Sequence, residues 1–161
     1  PNTAHRALAQ LEAEHDSEVI VITQNVDDLH ERGGTKALYH MHGHLKGALC
    51  ASCDHRWPAP MVMAAGDPCP SCAAPAARPD IVWFGEMVMA YERALEGVAI
   101  ADKVLVVGTS LSVYPAAGLL DHAPVNSERV LITQAVDNPP MAFDWLQGRA
   151  ADLVPKLLST W

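Results

Sequence analysis

The chain reads as an α/β protein built on a largely parallel sheet, with a small cysteine module interrupting the alternation. Three observations predict this. Continuous apolar runs at residues 19–23, 103–107 and 129–133 have the length and β-branched content of fully buried strands. Amphipathic helical patterns lie before, between and after them, as strand–helix alternation requires. Two Cys-x-x-Cys pairs, Cys50/Cys53 and Cys69/Cys72, mark the interruption.

The elements follow in order. Residues 4–14 predict a helix, with Ala4, Ala7, Leu8 and Leu11 on one stripe and Asn2 or Thr3 as the cap. Residues 19–23 predict a strand ending in a polar turn. Residues 27–32 predict a short helix stopped by Gly33-Gly34, and residues 37–41 a short strand. The cysteine segment comes next. Residues 80–84 predict a strand, 91–101 a helix and 103–107 a buried strand that runs into Gly108-Thr109-Ser110. Residues 115–122 predict a helix with Pro115 in its first turn. The third core strand is 129–133, and two short helices near 140–147 and 151–159 finish the chain.

The chain has 161 residues, half of them apolar and 19% charged, with a formal net charge of −8. That suffices for a packed core. The acidity argues against direct binding to nucleic acid, which needs a basic face. No stretch approaches the ~20 apolar residues of a membrane span. The first residues, Pro1-Asn2-Thr3-Ala4-His5-Arg6, contain neither an apolar export core nor an initiator Met.

The cysteine pairs are separated by fifteen residues and leave no cysteine over. Two knuckles of this kind surround one zinc ion tetrahedrally. Two disulfides in a secreted chain are the other reading; the spacing and the lack of an export core favour zinc. With four sulfur ligands the metal has no open position, so its role is structural. Thiol ligation also points to a reducing, cytoplasmic compartment.

Polar groups cluster where ligands of such sheets bind, at the carboxyl ends of strands. Gly108-Thr109-Ser110 suits a phosphate or ribose cradle, although many strands end in Gly-Thr. Gln24-Asn25-Val26-Asp27 either lines a pocket or caps the next helix. In Tyr39-His40-Met41-His42-Gly43-His44 the three histidines would share one face of a strand. They read as a second metal site or as a single general base beside a permissive glycine. Val82-Trp83-Phe84-Gly85-Glu86 is either core packing or an apolar wall beside a backbone edge open to an extended peptide.

Taken in this order, the motifs resemble the sirtuins, the NAD-dependent protein-lysine deacylases. The resemblance rests on Pro1-Asn2 to His5, Thr23-Gln24-Asn25-Val26-Asp27-Asp28-Leu29-His30, His42-Gly43-His44-Leu45, the four cysteines, Val82-Trp83-Phe84-Gly85-Glu86, and the run from Gly108 to Ala116. The Trp-Phe-Gly-Glu and Val-Tyr-Pro-Ala forms are most similar to the bacterial acetyl- and succinyl-lysine branch. The resemblance implies a Rossmann-like fold in two parts, 1–45 and 80–161, with a zinc-ribbon module at 46–79.

It implies NAD and Zn(2+) as cofactors and acyl-lysine proteins or peptides as substrates, with nicotinamide and O-acyl-ADP-ribose as products. His42 would be the general base acting on a ribose hydroxyl. Asn25 and Asp27 would line the nicotinamide side, with Gln24 and Val26 beside them. Gly108, Thr109, Ser110, Thr133, Gln134, Ala135 and Ala150 would hold the adenosine side. Val82, Trp83, Phe84, Gly85 and Glu86 would bind the substrate, and Cys50, Cys53, Cys69 and Cys72 the metal.

The chain departs from the family pattern in two places. Thr133-Gln134-Ala135 stands where the family usually has Asn, an apolar residue and an acid. The resemblance also starts at Pro1, downstream of the family's Gly-Ala-Gly phosphate loop and first core strand. The expectation is therefore of a larger parent protein, with an N-terminal segment or an oligomeric partner covering the apolar edge of 19–23 or 103–107. A chain without that loop would be inactive alone. The competing expectation is a non-catalytic zinc-containing remnant that binds peptide or nucleotide.

Overall fold

A computed structural model describes residues 1–161 apart from Ser110, Ser112, Val113 and Asn138. Its described residues form two units. The first comprises Pro1–Ile22, Leu29–Tyr39 and Ala90–Trp161; the second comprises Thr23–Asp28 and His40–Met89.

The first unit opens with helix α1, Thr3–Glu14. Of the two candidate caps it uses Asn2, whose side-chain oxygen accepts from the amides of Ala4 at 2.9 Å and His5 at 3.2 Å. Strand β1 is Val21–Thr23, helix α2 is Leu29–Gly33 and strand β2 is Leu38–His40. β1 and β2 form a two-stranded sheet. The Glu12 carboxylate accepts from the amides of Lys36 and Ala37, tying α1 to the start of β2.

The parallel sheet is formed by β6, Lys103–Val107, β7, Glu128–Thr133, and β8, Asp144–Gln147, in that order. Helix α3, Tyr91–Ala99, precedes β6, which is followed by a 3-10 helix, Ala116–His122. β7 pairs in parallel with both β6 and β8. The last of these corrects the helix expected over 140–147. Four residues carry too little periodicity to declare a strand, and the open edge of β7 decides their state.

Helix α4, Ala150–Leu158, closes the unit with Pro155 inside it. Proline has no amide hydrogen, so the Ala151 carbonyl one turn earlier loses its helical donor. The Thr3 hydroxyl donates to that carbonyl instead. The core lies below this contact: Ala4, Val130, Ile132, Val154 and Leu158 are buried together, with Ala7, Leu8, Leu11, Leu105 and Val107 packed against them. The stripe expected on α1 is thus the face that meets the sheet strands and α4.

The second unit is an antiparallel sheet of order β4-β3-β5, formed by Arg56–Pro58, Gly43–Cys50 and Ala77–Ile81. β5 ends at Ile81, not at residue 84 as expected. Its partner β3 begins at Gly43, opposite Ile81, so pairing stops there. Residues 83–86 turn instead, with the Glu86 amide donating to the Trp83 carbonyl at 3.0 Å. No helix among the described residues is long and apolar enough to cross a membrane.

Candidate functional site

The four cysteines come together as the spacing predicts. Their sulfurs all lie within 4.8 Å of one another, with Cys50–Cys72 at 3.7 Å and Cys53–Cys69 at 3.8 Å. Sulfurs each ~2.3 Å from a central zinc would sit about 3.8 Å apart, so the quartet fits that ion.

The two knuckles repeat one backbone pattern. The Ser52 amide donates to the Cys50 sulfur and the Ser71 amide to the Cys69 sulfur, both at 3.4 Å. The amides of Asp54 and Ala73 close back onto the carbonyls of Cys50 and Cys69. Both closing residues are left-handed, with φ of 57° and 59°. These donors stabilise thiolate at the buried sulfurs.

Burial pushes the Cys50 thiol up, but the Ser52 and Cys53 amides and the neighbouring sulfurs outweigh it and bring it down to about 7. The His55 backbone pulls Cys53 down, yet Cys72, burial and the other sulfurs push it up to about 12. Metal entering this quartet competes with protons for these sulfurs.

The histidine cluster is not one strand. His40 ends β2, His42 lies in a turn and His44 follows the start of β3. The cause is Gly43, whose φ of +74° reverses the chain, so the two-residue alternation does not carry through. A side chain there would place its Cβ 2.1 Å from the Asp80 carbonyl oxygen. Among the described residues, the cysteines are the only group of three or more His, Cys, Asp or Glu placed to hold a metal. The second-metal reading of the histidines gains no support.

His42 is instead oriented singly. Its Nδ1 lies 3.1 Å from the Gln24 carbonyl oxygen. A carbonyl only accepts, so Nδ1 carries the hydrogen and the neutral ring keeps its lone pair at Nε2. That is the tautomer a general base needs. His40 Nδ1 likewise faces the Asn25 carbonyl at 3.1 Å. The turn that supplies both carbonyls is pinned by further bonds: Asn25 amide to the Thr23 hydroxyl at 3.0 Å, Met41 amide to the Thr23 carbonyl at 2.9 Å, and Leu45 amide to the Val26 carbonyl at 2.8 Å. Gln24 thus acts on His42 through its backbone, a role that no side-chain motif announces. Asn25 is exposed, while Val26 and Asp27 are half-buried.

The Val82 amide donates to the His42 carbonyl at 2.9 Å. Beyond it, Phe84 is fully exposed and Trp83 about half exposed. The core-packing reading of this pair is thereby corrected. Gly85, at φ +90°, makes the turn that projects them.

In the first unit the other residues line the carboxyl end of the parallel sheet. Gly108 follows β6 with φ +65° and open space where a Cβ would stand, as close approach of a ligand to backbone requires. Its amide donates to the Ile132 carbonyl at 2.9 Å. The Thr109 hydroxyl accepts from the Leu111 amide at 3.1 Å. Ser110 lies outside the described residues.

Thr133 is buried at the end of β7 and its hydroxyl donates to the Ala135 carbonyl at 3.1 Å, so toward a ligand it can only accept. Gln134 and Ala135 are exposed beside it, and Ala150 begins α4 just past β8.

The model of the Sir2 family matches residues 1–115. The NAD-dependent protein deacylase of Shewanella oneidensis is 40% identical over 164 residues, covering 99% of this chain and 67% of its own length. Among solved structures, a complex of a Sir2 homologue with NAD superposes with a TM-score of 0.87 at 34% identity, covering 99% of this chain and 64% of that one. A Sir2 complex with a p53 peptide and NAD+ gives 0.86 at 29%, covering 99% and 70%. The chain therefore spans about two thirds of the length of the proteins it matches.

Proposed function

The chain belongs to the Sir2 family, and from that premise we propose that it is the larger part of an NAD-dependent protein deacylase acting on acyl-lysine. The observation that carries this reading is His42, held in the tautomer with a free Nε2 and joined through its carbonyl to the Val82 amide. NAD, held by the residues named below, would supply an electrophilic ribose carbon with nicotinamide as its leaving group. His42 Nε2 accepts the proton of a ribose hydroxyl, a contribution of about 10²–10⁴-fold for a well-placed base. Val82 has its amide engaged, and its carbonyl is the group offered to the N–H of the acylated lysine.

Residues 82–86 form the edge along which the substrate peptide lies extended, with Trp83 and Phe84 as its apolar wall. Gln24, Asn25, Val26 and Asp27 serve the nicotinamide side. Gly108, Thr109 and Ser110, with Thr133, Gln134, Ala135 and Ala150, serve the adenosine side. The cysteine quartet holds zinc and does no chemistry. The acyl groups proposed are acetyl and, by likeness to the bacterial branch, succinyl.

The test is product analysis with the full-length protein, acetyl- and succinyl-lysine peptides and NAD. Nicotinamide and O-acyl-ADP-ribose in equal amounts support the reading. ADP-ribosylated protein without deacylated peptide would replace it with a transferase.

A further inference from the structure

Arg78 lies on β5, opposite Leu49 of β3 and one residue from the Cys50–Ala77 pair. Its position belongs to the cysteine module, but its side chain points forward along the chain. The guanidinium carbon sits 4.3 Å from the centre of the Trp83 ring. Nη2 donates to Glu86 Oε1 at 2.8 Å, and Nη1 reaches the Ile81 carbonyl at 3.4 Å. The second Glu86 oxygen accepts from the Trp83 amide at 2.9 Å.

These contacts close a ring around the turn at residues 83–86. A planar cation that both stacks and forks is the side chain suited to it; an ammonium cannot stack on Trp83 and bridge to Glu86 and Ile81 at once. The Arg78 side chain is only 16% exposed, whereas Phe84 is held wholly in solvent. The Glu86 carboxyl is held below its usual range, chiefly by the Trp83 amide and also by Arg78, which keeps the ring charged.

We propose that Arg78 is a positioning residue for peptide binding: it presets the Trp83–Glu86 turn so that the extended substrate meets an ordered edge. This rests on the reading of residues 82–86 as the peptide edge. A turn that had to order on binding would weaken affinity by the fraction of time it is misplaced. The same contacts link that edge to β5, which pairs with the strand carrying Cys50.

The experiment compares Arg78→Ala, Arg78→Lys and Trp83→Ala in the full-length protein, with peptide KM, NAD KM, kcat and zinc content measured together. The expected result is a peptide KM raised about tenfold in Arg78→Ala and about threefold in Arg78→Lys. Trp83→Ala should raise it too, while in the two Arg78 variants NAD KM, kcat and zinc content hold within twofold. A raised KM in Trp83→Ala with Arg78→Lys and Arg78→Ala unchanged would overturn the role of Arg78 and leave the peptide edge standing. No change in any of the three would remove the peptide edge and this inference with it. If Arg78→Ala loses zinc, Arg78→Lys decides, and loss of zinc or of kcat there as well assigns Arg78 to the fold alone.

Discussion

The Val82 amide donates to the His42 carbonyl over 2.9 Å, so the two residues are joined through their backbones. The proposed base and the proposed acceptor of the lysine N–H are thus fixed to each other by main chain. The main chain sets the spacing of the two backbones, and the Gln24 carbonyl 3.1 Å from Nδ1 holds the imidazole itself.

Gly43 is where that linkage is most exposed to mutation. An alanine there would put its Cβ 2.1 Å from the Asp80 carbonyl oxygen at a φ of +74°. The strained backbone alone costs roughly 1–3 kcal/mol, and the clash adds to it. Gly43→Ala is expected to lower the unfolding free energy read from urea titration by at least that amount, shifting the midpoint down, and to abolish turnover. A midpoint equal to that of the parent would show that this turn tolerates a side chain.

His42→Ala is expected to cut deacylation by about 10²–10⁴-fold while leaving zinc content unchanged. The cysteine sulfurs are held by their own knuckles, so the metal site has no stake in the imidazole. Steady-state turnover and metal analysis on the same preparation check both halves. Retained turnover would remove His42 from the mechanism.

Metal removal is expected to loosen the β4-β3-β5 sheet. Cys50 is the last residue of β3, and the Cys50 and Ala51 amides bond to the His55 and Ala76 carbonyls. Chelation should therefore speed hydrogen exchange at residues 48–51. Acidification should weaken zinc uptake, because protons compete for the sulfurs. Unchanged exchange after verified metal loss would show that the sheet stands without it.

Glu86 gives a pH dependence with a definite sign. Its carboxyl titrates below the usual range because the Trp83 amide and Arg78 favour the charged form. The contribution is present above the ordinary glutamate value of ~4.3 and is lost as pH falls through the lower folded value. Peptide binding is therefore expected to be insensitive to Glu86 from pH 5 to 8 and to weaken in acid. Glu86→Gln should remove the acid limb; anisotropy of a labelled peptide reads this directly.

Thr3→Val is expected to cost about 0.5–1.5 kcal/mol, since it removes the donor to the Ala151 carbonyl. In a Pro155→Ala background the helix supplies its own donor, so the same change should cost measurably less. Equal costs in the two backgrounds would show that the hydroxyl does not serve that carbonyl.

Much of this was legible in residue order. The long apolar runs became strands, as 103–107 shows by matching Lys103–Val107, while 19–23 shortens to Val21–Thr23. The cysteine spacing foretold the quartet because two short knuckles have few other ways to close. The histidines were misread as one strand face because a single left-handed glycine cancels the alternation. Residues 144–147 were misread as helix because their state depends on an edge of β7 contributed from elsewhere in the chain.

The ligand types, their spacing and their order are written into the residue order, which is enough for the family and for the metal. The tertiary structure alone decided which nitrogen of His42 keeps its lone pair, where Thr133 directs its proton, and that Arg78 serves residues 81–86 and not the cysteines. Those outcomes depend on the direction of a hydrogen bond or a stacked plane. Such directions are set by neighbours distant in sequence, which a linear pattern does not contain.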